Sequence, residues 1–390
     1  MFMGKQKKKK NYLSMILPIV IGAVVGALIG ILSKTVFNDY FNTYIDNGSE
    51  SEGIIKVLAM IIIFFAGYLI HIIIHEAGHL VLGLMTGYSY VSFRIASHTL
   101  IKEDGKLKYK RFNIPGTAGQ CLMMPPELKD GKYPFVIYNY GGVLMNLIVA
   151  AIEILAAVFI PAVSYPLDAI LVLTAFGGIL AALTNGIPMR LSGVPNDAYN
   201  VFSMLRDEEA KRGFYIQLKV NGLLTIGERL KDIPYETFKL KENTDITNPL
   251  NASVRLLEYG WHLDNMDFES AKQTLESFLP DIDKIPMLFR NEINCERIFF
   301  ELIGSCDKEF IDELYDKKLK NYVKASKFLI GKKRFLMAYE GFYNKNQGKA
   351  MEHYISAKSL AEKYPIKGDA ESELIIMEWI SEKLKEDSNG

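Results

Sequence analysis

Cysteine is scarce in this chain, and its placement points to no cysteine chemistry. Cys121, Cys295 and Cys306 fall at no paired metal-ligand spacing, which excludes a cysteine zinc module and a disulfide framework and fits reduced thiols facing the cytoplasm. A surplus of either charge is also missing. The 45 basic residues balance 45 acidic ones, and no basic patch marks a nucleic-acid partner. Histidine numbers only six in 390 residues, yet His71, His75 and His79 share one short stretch. Charge is what that stretch lacks most: between Ile54 and Met85 only Lys56 and Glu76 carry it.

A carboxylate and histidines inside an apolar run of spanning length are costly, and such residues are functional by default. The run reads His75-Glu76-Ala77-Gly78-His79. On a helix, His75 and His79 project from one face about a turn apart. That spacing lets both imidazoles bind one tetrahedral zinc while leaving room for a third ligand and a water. Glu76 is placed to take a proton from the zinc-activated water, which makes it the candidate catalytic residue of a metallohydrolase, by preference a peptidase. His71 lies on the same face one turn earlier and reads as structural or as support for the pair.

Apolar runs predict four membrane spans, at about 12–33, 54–85, 135–162 and 167–188. The lysine-rich head and the Arg94–Arg111 segment are basic, whereas the Asn38–Gly53 loop is acidic. The positive-inside bias then puts the N-terminus, the basic segment and the C-terminal half in the cytoplasm. The chain divides into residues 1–53 (head, first span and external loop), 54–200 (a membrane-embedded core) and 201–390 (a charged cytoplasmic domain). The expected fold is mainly α, multi-pass in the cell membrane, with the lipid bilayer as its surroundings.

Between the second and third spans, Val91, Phe93 and Ile95 alternate with polar neighbours, and Asp104-Gly105 is a favoured hairpin turn before Lys106–Phe112. This predicts a β-hairpin or small sheet at the inner membrane face. An edge there, for example at Ser92, could take an extended peptide by strand addition, or the hairpin is purely structural. The segment Ile114–Pro126 is broken by glycine and proline and reads as a loop that re-enters the membrane. In the third span, Asn146 and Glu153 share a face; Glu153 reads as structurally paired and Asn146 as a hydrogen-bonding site residue. Beyond the fourth span, Asp197 lies on the same side of the membrane as the histidines. It could complete their ligand set or serve as a loop or helix-cap aspartate.

These stretches resemble the site-2 protease family of intramembrane zinc metalloproteases, over roughly residues 54–200. His75–His79 is similar to that family's zinc helix, and the hairpin with Ile114–Met124 to its membrane-associated sheet and glycine loop. Gly142-Val143-Leu144-Met145-Asn146 is similar to its third-helix motif. Asn185-x-x-Pro188 followed by Asp197 resembles its asparagine–proline–aspartate motif, which implies that Asp197 is the third zinc ligand. Ala198 stands where the family usually has glycine, and the Pro188–Asp197 spacing is longer than its commonest form.

From about Asn200 onward the pattern is helical. Ala338, Ala350, Tyr354 and Ala357 sit at offsets like those of a tetratricopeptide (TPR) helix pair, and a poorer match surrounds Trp261 and Ala271. An all-helical domain follows, TPR-like or a plain bundle, with a surface that could recruit a protein partner. The reading as a whole is a zinc metalloendopeptidase acting on membrane-anchored proteins or peptides, in regulated intramembrane proteolysis or signal-peptide processing. Zinc is its cofactor, and Asn146 or Asn185 is the candidate donor to substrate or oxyanion. The rival is a catalytically silent membrane scaffold with a partner-binding helical domain; an intact Glu76 argues against it.

Overall fold

The computed structural model describes residues 50–103, 105–112, 118–191 and 194–389. The expected span at 12–33 and residues 113–117 of the glycine loop lie outside them. The described residues fall into two compact units, one from residues 50–71 and 146–182 and one from residues 72–145 and 183–389.

Among the described residues, three helices are long and apolar enough to cross a membrane. The first, α1 (Glu50–Met85), has 36 residues, a length of about 54 Å at 1.5 Å per residue, against a hydrocarbon core of about 30 Å. It is interrupted by neither proline nor a run of polar residues. Ile54, Leu58, Ile62, Phe65 and Leu69 are exposed along it, as a lipid-facing surface requires. The others are α2 (Phe135–Phe159) and α3 (Leu167–Gly186). In the first unit Val172 and Phe176 of α3 pack with Phe64 of α1 and Ala157 of α2.

After α1 the chain makes a four-stranded antiparallel sheet: β1 (Ser89–Ile95), β2 (His98–Glu103), β3 (Lys106–Arg111) and β4 (Gly119–Met124), in the order β3-β2-β1-β4. The Glu103↔Lys106 pair closes the expected hairpin, and Gly105 adopts φ +75° there, a backbone that glycine accepts without strain. Two expectations change. The stretch read as a re-entrant loop contains β4, whose Cys121 and Met123 are buried against the second unit's core. Ser92 is not at an edge, because β1 is paired on both sides, with Ile101 of β2 and Leu122 of β4; the edges belong to β3 and β4.

Past α3, a two-residue ribbon of β5 (Arg190–Leu191) and β6 (Val194–Pro195) turns the chain into α4 (Asp197–Arg206) and α5 (Glu208–Ile226). The rest is helical. Its long elements are α6 (Pro249–Asp264), α7 (Phe268–Glu276), α8 (Met287–Ile303), α9 (Lys308–Leu314), α10 (Lys317–Ala325), α11 (Ile330–Ala338), α12 (Gln347–Ala361) and α13 (Lys367–Asn389). Ala271, Ala338, Ala350 and Ala357 are fully buried, so the small residues seen in the sequence mark close helix contacts.

Candidate metal centre

The i, i+4 spacing places His75 and His79 on one face of α1 with ring centroids 4.7 Å apart. Their Nε2 atoms lie 3.1 Å from each other. Asp197 Oδ2 is 3.0 Å from His75 Nε2 and 3.5 Å from His79 Nε2. Among the described residues this is the one group of three or more such side chains gathered closely enough to hold a metal ion.

The donor set fits a metal. Bonds of about 2.0–2.1 Å to a tetrahedral zinc put ligand atoms about 3.3 Å apart, and the three separations bracket that value. The tautomers fit as well. His79 Nδ1 donates to the Tyr138 carbonyl at 2.8 Å, which leaves the Nε2 lone pair directed at the centre. A neutral His79 therefore brings an acceptor to face a carboxylate oxygen, an arrangement that requires a cation or a proton between them. A proton serves the same purpose as a metal. Burial pushes the Asp197 carboxyl up, but the charge on His79 and hydrogen bonds from His75 and His79 outweigh it and hold the group below the ordinary carboxylate range.

Asp197 is brought 122 positions along the chain to its histidines by its neighbour. Asn196 is the N-cap of α4, its Oδ1 accepting from the Tyr199 amide at 2.9 Å. The same oxygen accepts from the Met189 amide, and Nδ2 donates to the carbonyls of Thr184 and Ile187, both at 2.7 Å. The cap is therefore Asn196, and Asp197, first in the helix, is left to face the histidines. Asparagine immediately before a helix start is a legible cap signal, but the sequence reading assigned that role to Asp197 as an alternative and passed over Asn196.

Two glycines set the distances. A Cβ at Gly142 in α2 would overlap the His75 ring, and one at Gly119 in β4 would lie 2.8 Å from Glu76 Cγ. Glu76 itself is half-buried, and the Cys121 backbone amide donates to its carboxylate. It thus sits against edge strand β4. Arg94 of β1 is buried nearby: burial lowers its basicity while the Glu76 charge raises it.

Asn146 and Asn185 are the remaining candidates from the sequence. Asn146 Oδ1 is 3.1 Å from His71 Nδ1, and His71 Nε2 is 3.2 Å from Glu153 Oε2. Thr174 donates to the other Glu153 oxygen at 3.1 Å. His71 and Asn146 are fully buried, so these four satisfy one another within the first unit. Asn146 is thus hydrogen-bonded to the histidine that pairs Glu153. Asn185 is half-buried in the last turn of α3, beside Thr184, whose carbonyl accepts from Asn196.

No protein-family model, no curated protein and no solved structure matches this chain.

Proposed function

We propose that the protein is an intramembrane zinc metalloprotease of the site-2 protease type, cleaving membrane-anchored proteins or peptides within or near the bilayer. The observation that carries this reading is the convergence of His75, His79 and Asp197 with Glu76 one residue along the same helix. His75, His79 and Asp197 would hold the zinc. When bound, it supplies a lowered pKa to water and polarisation to a carbonyl. Glu76 accepts the proton that the attacking water loses as its oxygen bonds to the scissile carbon. It then returns that proton to the departing amine nitrogen as the C–N bond breaks. The Cys121 amide orients its carboxylate for both transfers. The Tyr138 carbonyl holds the His79 tautomer.

Edge strand β4 begins with Gly119 against Glu76, so an extended segment paired along that edge would be carried to the carboxylate. A helical substrate must unwind first, because its carbonyls are otherwise engaged in its own hydrogen bonds. By the positive-inside bias, this chemistry takes place on the cytoplasmic side with both termini in the cytoplasm. The test is a reconstituted one: purified protein in liposomes with a single-span peptide labelled at both ends. Two fragments should form, cleavage should stop with a zinc chelator and return with added zinc. Cleavage indifferent to chelation overturns the metal-dependent reading.

A further inference from the structure

The helical region contains a cavity of about 410 Å³ with walls from α5, α6, α8, α11 and α13, within the range of small-ligand sites (about 300–1,000 Å³). Its polar lining is unusual. Five carboxylates face it (Asp264, Glu292, Glu296, Asp369 and Glu373), with one cation, Arg334. Two of them are neutralised from behind, Asp264 by Arg229 and Glu292 by Lys332. Arg334 is shared by the next two: its Nε donates to Glu373 at 2.6 Å and its Nη2 to Glu296 at 2.8 Å. Asp369 is left without a lysine or arginine partner among the described residues. Its side-chain partner is the Tyr364 hydroxyl, and burial with the neighbouring Glu373 charge pushes its carboxyl up, so a cation brought to this pair would find a carboxylate that lacks one.

A second atom is unfinished. Arg334 is 1% exposed, and its Nη1 has no hydrogen-bond partner, a costly state for a buried charged donor. The cavity therefore offers one surplus donor together with surplus acceptors, and its lining also includes the apolar Leu257, Phe289 and Ile376. Phosphates and other anions are excluded by the five carboxylates. A metal ion is disfavoured by the guanidinium at the centre, and the gathered metal-ligand group among the described residues is elsewhere.

We propose that this cavity binds the amino-terminal end of a short apolar peptide. The ammonium would rest on Asp369 and Glu373, the first carbonyl oxygen would accept from Arg334 Nη1, and the apolar side chains would lie against Leu257, Phe289 and Ile376. The ammonium supplies the missing positive charge, and the carbonyl supplies the missing acceptor. The proposal does not depend on the metal centre or on proteolysis. A ligand here would also touch a joint in the fold. Tyr364 and Ile366 line the cavity, and next to them the Tyr364 carbonyl and Lys367 hold Lys110 and Glu103 of the sheet.

The test is titration calorimetry on the full-length protein with trileucine amide, using its N-acetylated form as the control. Trileucine amide should bind with a submillimolar Kd, and acetylation, which removes the ammonium, should weaken binding roughly tenfold or more. Asp369→Asn should weaken it roughly 10- to 100-fold with no loss of melting temperature, since the change relieves repulsion from Glu373. Leu257→Trp, which fills the cavity while keeping every charge, should abolish binding and serves as the second variant. Equal binding of the acetylated peptide, unchanged affinity in both variants, or no heat at millimolar trileucine amide would each overturn the proposal.

Discussion

Asp197 Oδ2 and His75 Nε2 lie 3.0 Å apart although 122 positions separate them in the chain. That contact joins the start of α4 to the C-terminal third of a spanning helix, and nothing local dictates it. Two supports make it possible: Asn196 fixes where α4 begins, and Gly142 leaves room for the His75 ring. Both can be removed without touching a ligand.

Asn196→Ala should lose the cap and the two carbonyl contacts at the end of α3. The expected cost is about 1 kcal/mol in stability for the cap alone. Zinc affinity should fall about 10- to 100-fold, as for other groups that orient a metal ligand. Competition with a fluorescent zinc chelator reads the affinity, and thermal unfolding in detergent reads the stability. Asp197→Ala should lower zinc content further at little cost in stability; full occupancy there would assign the third ligand to another group.

Gly142→Ala places a methyl group where the His75 ring now sits. The ring or α2 must shift, and a displacement near 1 Å at a catalytic centre costs about 100-fold in rate. Single-turnover cleavage and zinc content should both fall. An unchanged rate would show that α2 yields without disturbing His75.

The buried group of His71, Asn146, Glu153 and Thr174 should behave as a stabilising network. Glu153→Leu takes the carboxylate from His71 Nε2 and should lower stability by about 1–3 kcal/mol. The double change His71→Leu with Glu153→Leu should recover much of this, because removing both partners of a buried pair costs less than removing one. Melting curves in detergent for the two singles and the double measure the coupling; simple additivity would contradict it.

How much of this was legible in the sequence follows the range of each interaction. The His75–His79 pair, three apolar helices and the β2–β3 turn depend on neighbours within a few residues, so periodicity and spacing reveal them. Strand β4 was hidden because its glycine-rich approach reads as a loop, while its burial comes from Tyr138 and the distant α5. Ser92 was misplaced at an edge because strand order is a tertiary property that alternation alone does not carry. Asn146 drew attention as a polar residue in a span, yet its partner His71 was chosen by helix packing. The Tyr138 carbonyl that orients His79 was unreadable, since every residue has one.

Glu103 gives a pH-dependent test of the sheet's attachment. Burial pushes its carboxyl up, but hydrogen bonds from Lys110, Lys108 and Lys367 prevail and hold it down to about 2. A carboxyl depressed on folding stabilises above its unfolded pKa, and that contribution is lost as pH falls through the folded one. Glu103→Gln should therefore cost about 1–3 kcal/mol at neutral pH. The difference from the parent should shrink from about pH 4.5 down to about 2. A difference independent of pH would mean that the lysines do not set it.

The most direct measurement concerns Glu76 alone. Glu76→Gln keeps the side-chain shape and leaves His75, His79 and Asp197 untouched, but it removes the group proposed to accept and return the proton. Positioned acid–base groups contribute about 10²–10⁴-fold. Cleavage of a reconstituted membrane peptide, with both fragments quantified, should fall at least that far while zinc content and membrane insertion stay at parental levels. If Glu76→Gln cuts as fast as the parent with zinc bound, the chain is not the protease proposed, and a metal-binding membrane scaffold takes its place.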